Sequence, residues 1–373
     1  MNRRQKEYLL NDLDKKLVFL TGPRQVGKTW LAQNLAGSFE KTVYLNYDHL
    51  ADREIIDEQA WLGNTELLIL DELHKMPEWK NYIKGVFDTR PASLRILVTG
   101  SARLESFRQS GDSLAGRFFR HRLMPFTPAE LSQLGEPFDI ERMMVRGGFP
   151  EPYLTESDID ADRWRMQYID GLIRTDILDF EKIHDFKAIQ LVFALLRSRV
   201  GSPLSYKSIA EDAGISPNTV KKYIQIFESL FIVFRVTPHS RNIARSILKE
   251  PKIYFYDTGL VEGDEGIKFE NLVAVSLLKH TFAMNDYYGK PFNLNYLRTK
   301  DGAEVDFCIV NRLVPELMIE AKWSDATPGR SLLHFHKRYK IPAIQLVSNL
   351  RHERMASDIT IRKGKEYLSE LAL

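Results

Sequence analysis

Gly22-Pro23-Arg24-Gln25-Val26-Gly27-Lys28-Thr29 constrains this chain more than any other stretch. It fits G-x-x-x-x-G-K-[ST] without a mismatch and follows Leu17-Val18-Phe19-Leu20, which reads as a short buried strand. Gly22 and Gly27 permit backbone angles that turn successive N–H groups toward phosphate oxygens. In this pattern Lys28 reaches the β- and γ-phosphates, and the Thr29 hydroxyl sits on Mg²⁺. A helix from about Trp30 to Leu35 offers its positive end to the same anion. The expected ligand is a nucleoside triphosphate with Mg²⁺.

The next segments supply the groups such a site needs. Residues 3 to 13 suggest a short helix, and Lys41 to Asp48 a second strand. Leu67-Leu68-Ile69-Leu70 is fully apolar, as in a parallel sheet covered on both faces, and closes on Asp71-Glu72. Acids at the C-terminal end of such a strand meet the ligand crevice of an open α/β sheet. Asp71 is expected to hold Mg²⁺, and Glu72 to orient and polarise the attacking water. A fourth strand from Arg95 ends at Thr99-Gly100-Ser101-Ala102, where Ser101 is preferred over Thr99 as the group that senses the γ-phosphate or places the water. Capping the following helix is the alternative role for Ser101. Arg117, Arg120 and Arg122 then fall within six residues. Arg117 is the candidate for stabilising transition-state charge, in cis or from a neighbouring subunit of a homo-oligomer. A solvated basic loop is the alternative.

Composition adds limits. With 373 residues, 44% hydrophobic and 27% charged, the chain has room for two or three soluble domains. A net charge of +2 gives no global field for nucleic acid, so any DNA contact must be local. No run approaches a membrane span, the polar start lacks an apolar signal core, and Cys308 is a single, strand-embedded thiol. These features predict a soluble, cytoplasmic protein without a membrane partner.

Gly-Pro-Arg-Gln-Val-Gly-Lys-Thr at 22–29, Leu-Asp-Glu at 70–72, Thr-Gly-Ser at 99–101 and Leu-Ala-Gly-Arg at 114–117 resemble the AAA+ ATPases common in prokaryotic genomes. Pro-Phe-Thr-Pro-Ala-Glu-Leu at 125–131 and Gly-Gly-Phe-Pro at 147–150 are also similar to that group. The resemblance covers nearly the whole chain. It implies a P-loop NTPase core over 1–125, a helical lid over 126–188, and a conserved C-terminal domain of unassigned function.

Within the middle, Trp164, Tyr168, Leu172 and Thr175 recur at helical spacing and read as core. Ile209-Ala210, Gly214 and the Ser216-Pro217 cap have helix–turn–helix spacing. Leu230 to Val236 and Lys252 to Asp257 would be wing strands, so 189–262 is expected to be a winged helix. Asn218, Thr219, Lys221 and Lys222 would face DNA, with Arg241, Arg245 and Lys249 between the strands. A protein-interaction role is the alternative for this module.

Over 263–373, a helix carrying Glu270 precedes strands at 292–298, 304–310 and 316–323. Alternation puts Asp306 on one strand and Glu320 with Lys322 on one face of the next. Two carboxylates and a lysine can hold Mg²⁺ beside a phosphodiester and activate water. Glu270, Asp306 and Glu320-Ala321-Lys322 are similar to the restriction-endonuclease-like PD-(D/E)xK core, although Val305 stands where a proline often precedes the aspartate. A solvated strand face of alternating charges is the alternative. Two functions fit: an ATP- and Mg²⁺-dependent ATPase coupled to a DNA-directed half with or without metal-dependent nuclease activity, or a nucleotide-controlled DNA-binding or STAND-type signalling switch with a silent nuclease-like domain and a protein partner.

Overall fold

The structure, a computed structural model, describes residues 3–100, 114–176, 185–240 and 250–373, without the side chains of 175 and 176. The chain divides into two compact units, Met1–Met124 and Pro125–Leu373.

In the first unit, α1 (Gln5–Leu13), β1 (Leu17–Thr21), α2 (Lys28–Ala36), β2 (Thr42–Asn46), α3 (Leu50–Glu58), β3 (Leu67–Asp71), α4 (Trp79–Thr89), β4 (Arg95–Thr99) and β5 (Phe118–Arg122) follow in order. The five strands are parallel, in the order β2-β3-β4-β1-β5. Every residue of β1 and β3 is buried, as helices on both faces require. Leu17, Phe19, Leu68, Leu70, Ile96 and Val98 cluster with Ile83 and Val86 of α4. Their alternates Val18, Leu20, Ile69 and Leu97 are buried as well, so both sheet faces are covered. From β1 the chain goes to the far edge, returns through β3 and β4, then crosses to β5 on the other side of β1. Strand order therefore reverses at β1, and the crevice lies at its C-terminal end.

The second unit begins with α5 (Pro128–Gln133), α6 (Ile140–Arg146), α7 (Pro150–Leu154) and α8 (Asp158–Gly171). Trp164 and Tyr168 stack with ring centroids 4.7 Å apart, and Phe149 packs on both, so the aromatic helix face is core. Next come α9 (Phe186–Arg197), α10 (Tyr206–Ala213), α11 (Pro217–Ser229), β6 (Val233–Pro238), β7 (Lys252–Phe255) and α12 (Glu265–Asp286). The chain ends with β8 (Phe292–Arg298), β9 (Glu304–Asn311), β10 (Val314–Lys322), α13 (Arg330–Tyr339), β11 (Ala343–Val347), β12 (Arg354–Ala356), β13 (Ile359–Lys363) and α14 (Gly364–Ser369). One eight-stranded sheet runs β12-β13-β11-β10-β9-β8-β6-β7.

Here the expected partition changes. β6 pairs antiparallel with β7 and parallel with β8, at Thr237↔Asn295 and Pro238↔Tyr296. The strands expected as a separate wing are thus an edge of the same sheet as β8–β10. Residues 126–188, 189–262 and 263–373 lie in a single unit that starts at Pro125. β6 also starts three residues later than its apolar run, because Phe231 adopts a left-handed turn (φ 56°) after α11. α12 packs against β7, β8 and β10. Leu332 and Phe335 of α13 cluster with Val305, Cys308, Met318 and Ile359. Cys308 is buried, which pushes its thiol up to about 12 and leaves it a packing group. Among the described residues no helix is long and apolar enough to cross a membrane.

Candidate functional site

The loop after β1 is shaped by close backbone approach. A Cβ on Gly22 (φ 147°) would lie 2.1 Å from the Leu123 carbonyl oxygen, so no side chain fits there. The Leu123 amide donates to Thr21 O at 2.8 Å, clamping the loop entrance to the chain that leaves β5. Gln25 (φ 57°) and Gly27 (φ 95°) take left-handed angles just before α2 starts at Lys28. Consecutive amides are thereby turned toward one concavity at a helix N-terminus. Lys28 Nζ donates to Gly22 O at 3.1 Å and Pro23 O at 2.6 Å. Burial lowers its pKa to about 8, against the opposing charges of Glu72 and Asp71.

Asp71 ends β3 and gathers donors from four positions. Thr29 Oγ1 donates to Oδ2 at 2.9 Å, and the Tyr44 hydroxyl donates to the same oxygen at 2.6 Å. The Thr99 hydroxyl and the Glu72 amide (3.1 Å) donate to Oδ1. Thr29 and Asp71, the two expected Mg²⁺ ligands, are therefore adjacent. Their hard oxygens beside a buried lysine and an amide-rich loop suit a Mg²⁺–triphosphate. Burial raises the Glu72 carboxyl above its usual range, with Lys28 opposing and Asp71 adding to the rise. Its Oε2 lies 3.6 Å from His74 Nε2 and 3.8 Å from Lys75 Nζ. Tyr44 and Thr99 form part of this site although Tyr44 was not singled out in the sequence. β2 and β4 flank β3 on either side, which brings both hydroxyls to Asp71.

Ser101 lies outside the described residues. Arg117 precedes β5, whose register pairs Leu17↔Phe118 and Thr21↔Arg122. It therefore sits at the N-terminal edge of the sheet, about 13 Å of strand from the loop at about 3.3 Å per residue. There Nε and Nη2 bond Asp88 of α4 at 2.8 and 3.1 Å. The sheet register thus carries Arg117 away from the phosphate loop of the same chain.

In the second unit, Glu270, Asp306, Glu320 and Lys322 come together. The β9–β10 ladder ends at Ile319↔Phe307, and beyond it Asp306 Oδ2 accepts from the Ala321 amide at 3.1 Å. A register shift opposite Asn295 and Leu297 adds a residue to β9 between Val305 and Cys308, and this bulge re-aims Asp306. Lys322 Nζ bonds Glu320 Oε1 at 2.9 Å. Lys252, first residue of β7, reaches Glu304 at 2.8 Å, Asp306 at 3.2 Å and Glu270 at 3.5 Å. The Tyr254 hydroxyl donates to Glu270 Oε1 at 2.7 Å. Burial and the neighbouring Asp306 raise Glu270 to about 7. Among the described residues no three His, Cys, Asp or Glu are arranged to hold a metal ion. Lys252 and Tyr254 lie on a strand-like stretch with no motif, whereas Glu304 stands two residues before Asp306 in the nuclease-like pattern.

α10 and α11 meet at a tight turn. Gly214 (φ 66°) ends α10, and Ser216 Oγ caps α11 by accepting from the Thr219 amide at 3.1 Å. Asn218, Lys221 and Lys222 are exposed at the start of α11, and Thr219 is half-buried. Arg241, Arg245 and Lys249 lie outside the described residues.

Comparison with known proteins divides the chain in three. Residues 14–132 match the family model of an AAA domain. Residues 137–268 match a domain of unknown function, DUF8612, and residues 265–364 another, DUF4143. An uncharacterised protein of Mycobacterium tuberculosis is 25% identical over 300 residues, covering 79% of this chain and 67% of its own. An uncharacterised protein of Methanocaldococcus jannaschii is 21% identical over 367 residues, covering 88% and 80%. Among solved structures, a Walker-type ATPase of Pyrococcus abyssi superposes with a TM-score of 0.44 at 13% identity, covering 69% of this chain and 94% of that one. The first unit thus unites a phosphate-loop motif, a parallel α/β sheet and an AAA-domain match in one stretch of chain.

Proposed function

We propose that this chain is a Mg²⁺-dependent ATPase whose nucleotide state governs a DNA-directed C-terminal half. The observation that carries the reading is the convergence of Lys28, Thr29, Asp71 and Glu72 at the phosphate loop. The Gly22–Thr29 amides and Lys28 would bind the phosphates, with Thr29 and Asp71 holding Mg²⁺. Bound Mg²⁺ supplies charge neutralisation at the phosphoryl oxygens. Tyr44 and Thr99 lock the Asp71 carboxylate toward Thr29 through their hydroxyls. Glu72, made more basic by burial, orients the attacking water and takes its proton. Arg117 serves the nucleotide of a neighbouring subunit in a homo-oligomer.

For the other half, α10–α11 followed by β6 and β7 support a winged-helix reading, with Asn218, Lys221 and Lys222 toward DNA phosphates and base edges. Glu270, Asp306, Glu320 and Lys322 support a nuclease-like site on the same unit. A second reading, a nucleotide-controlled switch whose nuclease-like cluster is silent, is favoured by Lys252 standing among those carboxylates. One set of proteins tests the scheme. Lys28→Ala is expected to lose ATP binding, and Lys221→Ala with Lys222→Ala to weaken retention on duplex DNA and flatten its salt dependence by about two phosphate contacts. DNA retention that ignores both the α11 lysines and bound ATP would remove the DNA-directed half of the proposal.

A further inference from the structure

The carboxylate cluster already contains a cation. The Lys252 side chain is 1% exposed and touches Glu304, Asp306 and Glu270 with one ammonium. A lysine has three N–H donors, and here three carboxylates surround them. The Tyr296 ring, 5.6 Å from Nζ, closes another side. A divalent ion shared by Glu270 and Asp306 would need both within about 2.0–2.6 Å, around the point that Nζ fills.

The walls of the pocket are built for close approach. A Cβ on Gly201 (φ 76°) would fall 2.7 Å from Glu270 Oε1, and one on Gly329 would fall 2.5 Å from Glu320 Oε1. Glu320 is 7% exposed, and its Oε2 is buried without a hydrogen-bond partner. One oxygen of Glu320 is thus buried unanswered while Lys322 bonds Oε1. The segment that carries Lys252 is tied to the chain entering α10: Pro203 bridges Lys252, and the Leu204 amide donates to Pro251 O at 2.8 Å. A displacement of the α10–α11 pair would therefore pull on Lys252.

We propose that Lys252 is a resident counter-ion among Glu270, Glu304 and Asp306, and that its ammonium excludes a divalent metal from the place it fills. The inference rests on reading this cluster as a metal-dependent phosphodiester site. The lysine supplies part of the counter-charge that a metal would otherwise bring to these carboxylates.

The test is Mn²⁺ binding to the full-length, nucleotide-free protein, read from the paramagnetic resonance of free Mn²⁺. Wild type is expected to leave Mn²⁺ free, and Lys252→Met to bind one ion at least about tenfold more tightly, because its buried carboxylates have lost their counter-charge. Adding Asp306→Asn to Lys252→Met should abolish that binding. Thermal melting guards against misfolding: Mn²⁺ should raise the melting temperature of Lys252→Met and leave that of wild type unmoved. Wild type that binds Mn²⁺ as tightly as Lys252→Met, with loss in Asp306→Asn, overturns the proposal. A folded Lys252→Met with no gain also overturns it. Should that variant fail to fold even with Mn²⁺, wild-type binding lost in Asp306→Asn would still decide against it, and melting rescue by Lys252→Arg would support it. Metal uptake by Lys252→Met without plasmid cleavage sustains the counter-ion role of Lys252 and removes the nuclease reading instead.

Discussion

Lys28 is buried, which lowers its pKa to about 8 although two backbone carbonyls accept from its ammonium. Near that pH about half of the free protein carries a neutral lysine, whereas a triphosphate favours the ammonium. ATP binding at about pH 8 should therefore take up about half a proton at Lys28, and this uptake should vanish near pH 6, where Lys28 is already charged. Calorimetry in buffers of different ionisation enthalpy measures this directly; equal proton counts at both pH values would contradict the burial argument. Lys28 and Gly22 were legible in the sequence because their roles are local to an eight-residue pattern. Tyr44 and Lys252 were not. Tyr44 meets Asp71 only through the β2–β3 pairing, and Lys252 meets Asp306 only through the strand order β9-β8-β6-β7. A tyrosine or lysine at a strand end carries no sequence signal for such partners.

At the scale of elements, apolar runs located β1–β4 and β6–β10 but not β5 or β11–β13, and the Ser216-Pro217 cap located α11, since capping and periodicity are local properties. Register was beyond their reach. The position of Arg117 follows from parallel β1–β5 pairing, and the aim of Asp306 follows from a bulge in β9. The Pro125–Leu131 run has a structural explanation as well. Glu130 is fully buried and bonds Lys279 of α12, whose ammonium also donates to Pro125 O at 3.0 Å. This pair fastens α5 to the long helix. Lys279→Met should cost about 3–5 kcal/mol by leaving a buried carboxylate without its counter-charge, and Glu130→Leu in the same chain should recover much of that loss. Denaturant titration of the single and double variants checks it. A single variant as stable as wild type would show that the pair holds nothing together.

The two candidate sites lie on separate units of the molecule. Lys28, Thr29 and Asp71 gather at the C-terminal edge of the first sheet, and the carboxylate cluster sits in the second unit. Sequence reading separated a lid, a winged helix and a nuclease-like domain because composition and turns mark stretches of chain, not shared sheets. The β6–β8 ladder joins what those marks divide, and β11–β13 extend the sheet beyond the last motif. Arg117 lies at the opposite sheet edge from the loop, so the proposed role for it in trans ties turnover to oligomeric state. Its alanine variant should slow turnover only where subunits assemble, with single-subunit ATP binding preserved. The central claim is that Glu72 activates water at a site assembled by Lys28, Thr29 and Asp71. Its most direct test is bound ATP and released phosphate measured together in wild type and Glu72→Gln. The account predicts near-normal ATP binding with phosphate release slowed at least about a hundredfold. Equal release rates in the two proteins would contradict it.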